Sequence, residues 1–251
     1  MQHRRMLRLA WVVCALVPMA VLAAGPRSPG QVGRTGFLGW GRKKEVPPQE
    51  TGLPVMGALN LDAVAEPYRE KVESVLAKSS LHISGPSESF YCHPPLYHWL
   101  LDHPDRAVKA WRKLGAECAA IEDRGNGRFG WRDGQGSDVA WDVVVRDETQ
   151  QTWYAEGVFN PGTLMPTVKL RAVVILHLSE MRDAKGRPAM RHRGELFLQT
   201  DSRAVNLAAR LLGASAPRMA EQYVAQIQMF FAALAHHMDR HPEHIDWLNT
   251  D

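Results

Sequence analysis

Between residues 138 and 201 apolar and polar side chains trade places at nearly every second position. Between 217 and 241 the apolar ones recur every third or fourth. The first period belongs to strands that bury one face, the second to a helix with an apolar stripe. Strands are expected over 118–123 and 128–132, joined by Asn126-Gly127, a strong short hairpin signal. Further strands are expected over 138–147 and 152–159, then, past Asn160-Pro161-Gly162, over 168–181 and 190–201 around a turn at 183–187. Short connections throughout imply an antiparallel meander. Upstream, 61–79 has helical spacing. Residues 81–91 look extended but are broken by Gly85-Pro86. Two short helices follow, one opened by Pro94-Pro95, the other by Pro104 and stopped by Gly115. A helix capped by Ser202 runs to Leu212, Gly213–Ala216 breaks it, and Pro217 restarts it as the long final helix.

Alternation also chooses the inner face. Val139, Trp141, Val143 and Val145 oppose Asp142 and Arg146. Trp153, Ala155 and Phe159 oppose Tyr154 and Glu156. Val168, Leu170, Ala172, Val174, Leu176 and Leu178 oppose Lys169, Arg171 and His177. Met190, His192, Gly194, Leu196 and Leu198 oppose Arg191, Arg193 and Glu195. The first set of each pair is expected to face the final helix, which carries Met219, Tyr223, Ile227, Phe230, Leu234 and Met238. The fold class expected is α+β, with a curved antiparallel sheet of about six to seven strands gripping the C-terminal helix. The chamber between them would be lined by Trp131, Trp141, Trp153, Leu170, Val174, His192, Leu196, Tyr223, Ile227 and Phe230. His192 is its lone polar group, and Tyr223 could supply the hydrogen bond it needs. On the outer face, setting Val145 opposite Trp153 sets Asp142 opposite Glu156, with Arg171 beside them to relieve the repulsion.

The N-terminus changes the picture of charge and place. His3, Arg4, Arg5 and Arg8 precede an apolar run over 9–22, and Val21-Leu22-Ala23 suits a signal peptidase. The rival reading, a retained anchor, meets a run shorter than the roughly 20 residues a spanning helix needs, with Pro18 inside it. Cys14 lies mid-run after Val12-Val13 and is not placed for lipidation. Residues 1–23 thus read as an export signal, and the product as periplasmic or extracellular. The whole chain has 30 basic and 27 acidic side chains. Three arginines and no acid leave with the signal, so the mature protein is near neutral and has no electrostatic footprint for nucleic acid. Residues 24–56, dense in Gly and Pro, read as a flexible linker. Its Phe37, Leu38 and Trp40 could touch a partner or a membrane surface in passing. Residues 57–251 are expected to form a single domain.

Candidate chemistry is sparse. Gly125-Asn126-Gly127-Arg128-Phe129-Gly130 matches a dinucleotide fingerprint, but Trp131-Arg132-Asp133-Gly134 cannot open the helix that would hold a pyrophosphate. Cys92, His93, His98 and His103 do not stack on one helical face. His237 and His241 lie four apart past the apolar stripe and read as a charged helix end. No metal or other cofactor is expected. Cys92 and Cys118 flank the helical pair and are either a disulfide or two buried thiols. Asp142 with Glu156, or His192, could serve as a general acid and base, but a solvated ionic ladder with Arg171 is the favoured reading of the carboxylates. No nucleophile elbow is present.

Two resemblances follow from these residues. The region from Ser87 to Pro242 resembles an uncharacterised family of secreted bacterial proteins, through the segments at 123–131, Trp153-Tyr154-Ala155-Glu156-Gly157 and 211–217. More distantly, the order of elements resembles the START-like helix-grip superfamily, whose members bind lipids, sterols or other apolar ligands and include some enzymes. That resemblance implies an apolar small molecule or lipid as partner. It has no residue motif, so it assigns no residue a role. The helix over 61–79 and the break at 213–217 depart from its minimal plan. Intact-mass analysis of the exported protein is expected to place the mature N-terminus near Ala24; residues 1–23 found intact in a membrane fraction would overturn that.

Overall fold

The computed structural model describes residues 59–116, 118–160, 167–200 and 216–249, without the side chains of 216–220 and 223. The expected export signal, the whole of the expected linker, and the helix expected over 202–212 lie outside the described residues. Two short 3-10 turns, Leu61–Ala63 and Glu66–Tyr68, lead into helix α1, Arg69–Lys78. Strands β1, Leu81–Ser84, and β2, Glu88–Tyr91, come next, interrupted at Gly85-Pro86 as the sequence indicates. Helices α2, Pro94–Asp102, and α3, Pro104–Lys113, each begin on proline, whose fixed φ and missing N–H suit a first turn. The meander then runs through β3, Glu122–Asp123; β4, Arg128–Arg132; β5, Asp138–Arg146; β6, Gln150–Phe159; β7, Val168–Arg182; and β8, Pro188–Thr200. Helix α4, Ala216–Arg240, and a 3-10 segment, Pro242–Leu248, follow.

The eight strands form one sheet in the order β1-β8-β7-β6-β5-β4-β3, with β2 also pairing β8. That is more than the six or seven strands expected. The extra count comes from the two pieces of the 81–91 segment, which lie end to end along the same edge. β1 sets Leu81 against Leu198, and β2 sets Glu88 against His192. Of the expected strand over 118–123, only Glu122 and Asp123 pair. The β3–β4 turn takes Gly125, Asn126 and Gly127 through positive φ. A strand follows it, and no helix, which disposes of the dinucleotide reading on structural grounds.

One face of the sheet carries the main core. Trp141, Ala155, Leu170, Ala172, Leu176, Leu178, Met190, Leu196 and Leu198 pack there with Leu100, Trp111, Phe230, Leu234 and Met238 from the helices. Trp111 joins α3 to α4 twice, stacking on Phe230 at 4.9 Å and donating from Nε1 to the Phe230 carbonyl at 3.2 Å. The other face is also covered. Val72 and Val75 of α1 pack with Val64 on Val144, Val145, Tyr154, Val173 and Ile175, all buried.

The expected register fails along the β5–β6 hairpin. Pairing shifts between Val143 and Val145, a bulge at Val144. Val143, not the expected Val145, lies opposite Trp153 on the inner face, while Val145 pairs with Thr152 and turns to the α1 face. The hairpin is already one residue out of the expected pairing at Val145, and the bulge adds a second, so Asp142 lies opposite Tyr154 and Glu156 opposite Ala140. The expected Glu156–Arg171 pairing is present. The expected Asp142–Glu156 pairing is not. Gly157 faces Val139 across β5–β6, and a Cβ there would stand 2.7 Å from the Val139 Cα and against the Asp138 carbonyl oxygen. Both are backbone atoms, which have nowhere to retreat. Gly157→Ala is expected to destabilise the fold by about 1–3 kcal/mol in a denaturant titration; an unchanged midpoint would mean that β5 and β6 are less closely apposed than described.

Candidate functional site

A cavity of about 60 Å³, counted as space for the centre of a water-sized sphere, lies between the sheet and α4. That is several times the roughly 10–15 Å³ one water needs. Trp141, Trp153, Val174, Leu176, Gly194 and Leu196 form its floor across β5 to β8. Val224, Ile227, Gln228 and Phe231 of α4 form its roof, and Tyr97, Leu101 and Pro104 close one side.

Glycines set the height of the roof. A Cβ on Gly85 would stand 2.8 Å from Val224 Cγ1 and collide with the Gln228 carboxamide. One on Gly194 would stand 3.3 Å from Gln228 Oε1 and 3.4 Å from Val224 Cγ1. So α4 rides close to the sheet at its β1–β8 margin, while Trp141 and Trp153 occupy the floor farther in. Gln228 is buried, and its Nε2 donates to the Pro86 carbonyl at 2.9 Å. Its Oε1 has no hydrogen-bond partner among the described residues. A buried amide oxygen without a donor is a standing penalty, and this one belongs to a residue of the cavity wall.

Of the residues the sequence singled out, Trp141, Trp153, Val174, Leu196 and Ile227 border the cavity. Trp131, Leu170 and Phe230 are buried in the same core but are not among the lining residues. Tyr223 lies on α4, and its side chain is outside the described residues. Pattern reading passed over Tyr97, Leu101, Phe231 and Gln228.

His192 is inward and fully buried, as alternation implied. Its partner is Tyr97 of α2, whose hydroxyl lies 2.5 Å from Nδ1. The expected Tyr223 contact involves a side chain outside the described residues. Nε2 stands 3.5 Å from a Glu88 carboxylate oxygen, and the rings of Phe90 and Tyr97 pack about the imidazole. A carboxylate can only accept, so the imidazole proton belongs on Nε2 and the Tyr97 hydroxyl donates to Nδ1. Burial holds the Tyr97 phenol well above its usual range, so it keeps that proton. Burial pushes the His192 pKa down, against the opposing pull of Glu88.

The other candidates separate. Asp142 lies 3.5 Å from Arg128, and Glu156 lies 3.2 Å from Lys71 and accepts from the Tyr154 hydroxyl at 2.9 Å. Burial works to raise the Glu156 carboxyl, but the Tyr154 and Lys71 hydrogen bonds outweigh it and hold it below the usual range. Both carboxylates sit on the α1 face, across the sheet from the cavity. His93 pairs with Asp239, His98 with Glu180 at 3.9 Å, and His103 with the Trp99 carbonyl at 2.9 Å, so these histidines point to different partners. Cys92 and Cys118 are free, buried thiols, each pushed up by burial. Neither has the lowered pKa of a reactive thiolate.

No family model matches the chain, and no curated protein matches it. Among solved structures, a hypothetical protein of Helicobacter pylori aligns at 9% identity and TM-score 0.44, over 73% of this chain and 99% of that one. A conserved protein of Geobacillus kaustophilus aligns at 14% and 0.41, over 61% and 96%. Norcoclaurine synthase of Thalictrum flavum, in complex with dopamine and hydroxybenzaldehyde, aligns at 12% and 0.34, over 72% and 97%. Likenesses this distant carry no argument about ligand or reaction.

The His192 geometry has a consequence for pH. Its folded pKa lies below the ordinary 6.5, so the unfolded chain binds the proton more readily. The stability it contributes is complete above about pH 6.5 and is lost as pH falls below that value. His177 and His237 are lowered too and act in the same direction. The melting temperature of His192→Gln should therefore fall less than that of the wild type between about pH 7 and pH 5. Parallel falls would show that His192 does not gain a proton on unfolding.

Proposed function

We propose that the protein is an exported binding protein, periplasmic or extracellular, that takes an apolar or amphipathic, lipid-like small molecule between the sheet and α4 in a START-like, helix-grip arrangement. The observation that carries this reading is the apolar cavity with the unsatisfied Gln228 oxygen at its wall. Apolar walls with a few placed polar groups are the general form of a small-molecule site. The oxygen accepts and cannot donate, so it favours a ligand carrying a hydroxyl or N–H at one end. The cavity is smaller than the roughly 300 Å³ at which pockets for drug-sized ligands begin. It suits one compact ring or the end of a chain. A lipid would enter by one end and leave the remainder outside. The reading is of binding alone: the cavity wall holds no pair of titratable groups set for proton transfer. Tyr97 is committed to His192, Glu195 of the lining is held by His82 and His177, and Asp142 and Glu156 lie across the sheet.

Fluorescence titration of the chain from Ala24 onward with naphthalene, 2-naphthol and a dansyl fatty acid tests the proposal. The wild type is expected to take up probe. Ile227→Trp should fill the cavity and abolish uptake with the fold retained. Gln228→Leu should weaken 2-naphthol by roughly threefold to tenfold, the worth of one hydrogen bond, while naphthalene binds as before. Phe230→Trp, at a site already packed on Trp111, should instead destabilise by about 1–3 kcal/mol. A wild type that binds none of the probes would leave the space as a packing void and sink the proposal.

A further inference from the structure

The end of α4 holds a second cluster, remote from the cavity residues and independent of the proposed binding role. His237 and His241 lie one turn apart. At His241 the chain leaves the helix with φ −130° and ψ 67°, and Pro242 opens the 3-10 segment. The His241 N–H still donates to the His237 carbonyl at 2.9 Å, and the His244 N–H donates to the His241 carbonyl at 2.9 Å. This tight reversal carries His244 back over the helix end. His237 Nε2 then lies 2.9 Å from His244 Nδ1, and His241 Nδ1 lies 3.0 Å from Glu243 Oε1. One ligand atom from each of His241, Glu243 and His244 lies within 4.8 Å of the other two. The rings pile up, with His237 on His241 at 4.6 Å and His244 on Trp247 at 3.8 Å.

We propose that His241, Glu243 and His244, with His237 as a fourth donor, form a binding site for a divalent first-row transition metal such as zinc or copper. Imidazole nitrogens with one carboxylate are the donor set these ions prefer over magnesium or calcium. Two nitrogens on one tetrahedral zinc, each at about 2.0–2.1 Å, stand about 3.3–3.4 Å apart. The His237–His244 contact therefore has to open by only a few tenths of an ångström. In that contact one nitrogen must present its lone pair, because two N–H groups cannot face each other at hydrogen-bond distance. The competing picture is a set of protonated histidines that complement the carbonyl end of the helix. The His237–His244 contact does not fit that picture, since the two facing nitrogens can hold only one proton between them. A bound ion would fasten the end of α4 to the 3-10 segment, whose Leu248 is buried in the main core.

Calorimetric titration of the untagged, chelator-treated protein with ZnCl₂, and copper EPR with CuSO₄, test the site. One ion per chain should bind, with nitrogen hyperfine structure in the copper spectrum and a raised melting temperature with zinc. His241→Ala and His244→Ala should each weaken binding at least tenfold. His82→Ala, which alters a histidine paired with Glu195 on β1, should leave it unchanged. His237→Ala separates ligand from bystander: a lost nitrogen signal makes it the fourth donor. Both helix-end variants are half-exposed or exposed, and circular dichroism checks that they fold. No binding by the wild type, or equal binding by His241→Ala and His244→Ala, would overturn the proposal.

Discussion

Helix α4 meets the sheet where the sheet has no side chains to hold it away. Gly85 and Gly194 lie beneath Val224 and Gln228, and any Cβ at Gly85 would push the helix off. That close approach fixes the seating of the longest helix. Farther in, the floor carries Trp141 and Trp153, and α4 cannot come equally close to them. The difference between a bare margin and an aromatic interior is what leaves space between the layers. Gln228 belongs to both regions. It fastens the helix to the Pro86 carbonyl at the margin, and the other end of its carboxamide is left without a donor.

The sheet is buried on both faces, and this governs where chemistry can occur. Inward residues of β5 to β8 meet α2, α3 and α4. Outward residues near Val173 and Ile175 meet α1. The polar groups between Lys71, Tyr154 and Glu156 fringe this second core, so that ladder is half-covered instead of lying open on a bare sheet surface. It braces α1 against β6 and has no access to the cavity. His192 is similarly enclosed: Tyr97, Phe90 and Glu88 surround it, so it orients Tyr97, a residue of the cavity wall, without bordering the cavity itself.

Much of this was legible in the pattern of the chain. The two proline-led helices, the hairpins and the final helix follow from periods and turn residues. The inward sets of β6, β7 and β8 follow from strict alternation. The register of β5 was not legible, because Val143-Val144-Val145 has no alternation to show where a bulge falls. The cover by α1 left a trace in the outward, apolar Val173 and Ile175 and in Tyr154, which a solvated face would not need. The cavity left none. A void depends on how far one layer stands from another, and glycines at 85 and 194 acquire meaning only when Val224 and Gln228 are above them. The Tyr97–His192 contact is likewise invisible in one dimension, since it joins residues 95 positions apart.

The two-part edge of the sheet bears on how the chain reaches this state. Strands β3 to β8 pair with their neighbours in sequence, so hairpin after hairpin can form by closing short loops. β1 and β2 must wait, because Leu81 finds Leu198 and Glu88 finds His192 only after the meander exists. Long loops close slowly and form late. Until then β8 is an unpaired edge with its backbone donors and acceptors exposed, open to strands of other chains. The residues that complete the sheet lie ahead of it in the sequence, so they leave the ribosome, and any export channel used N-terminus first, before their partner strand exists.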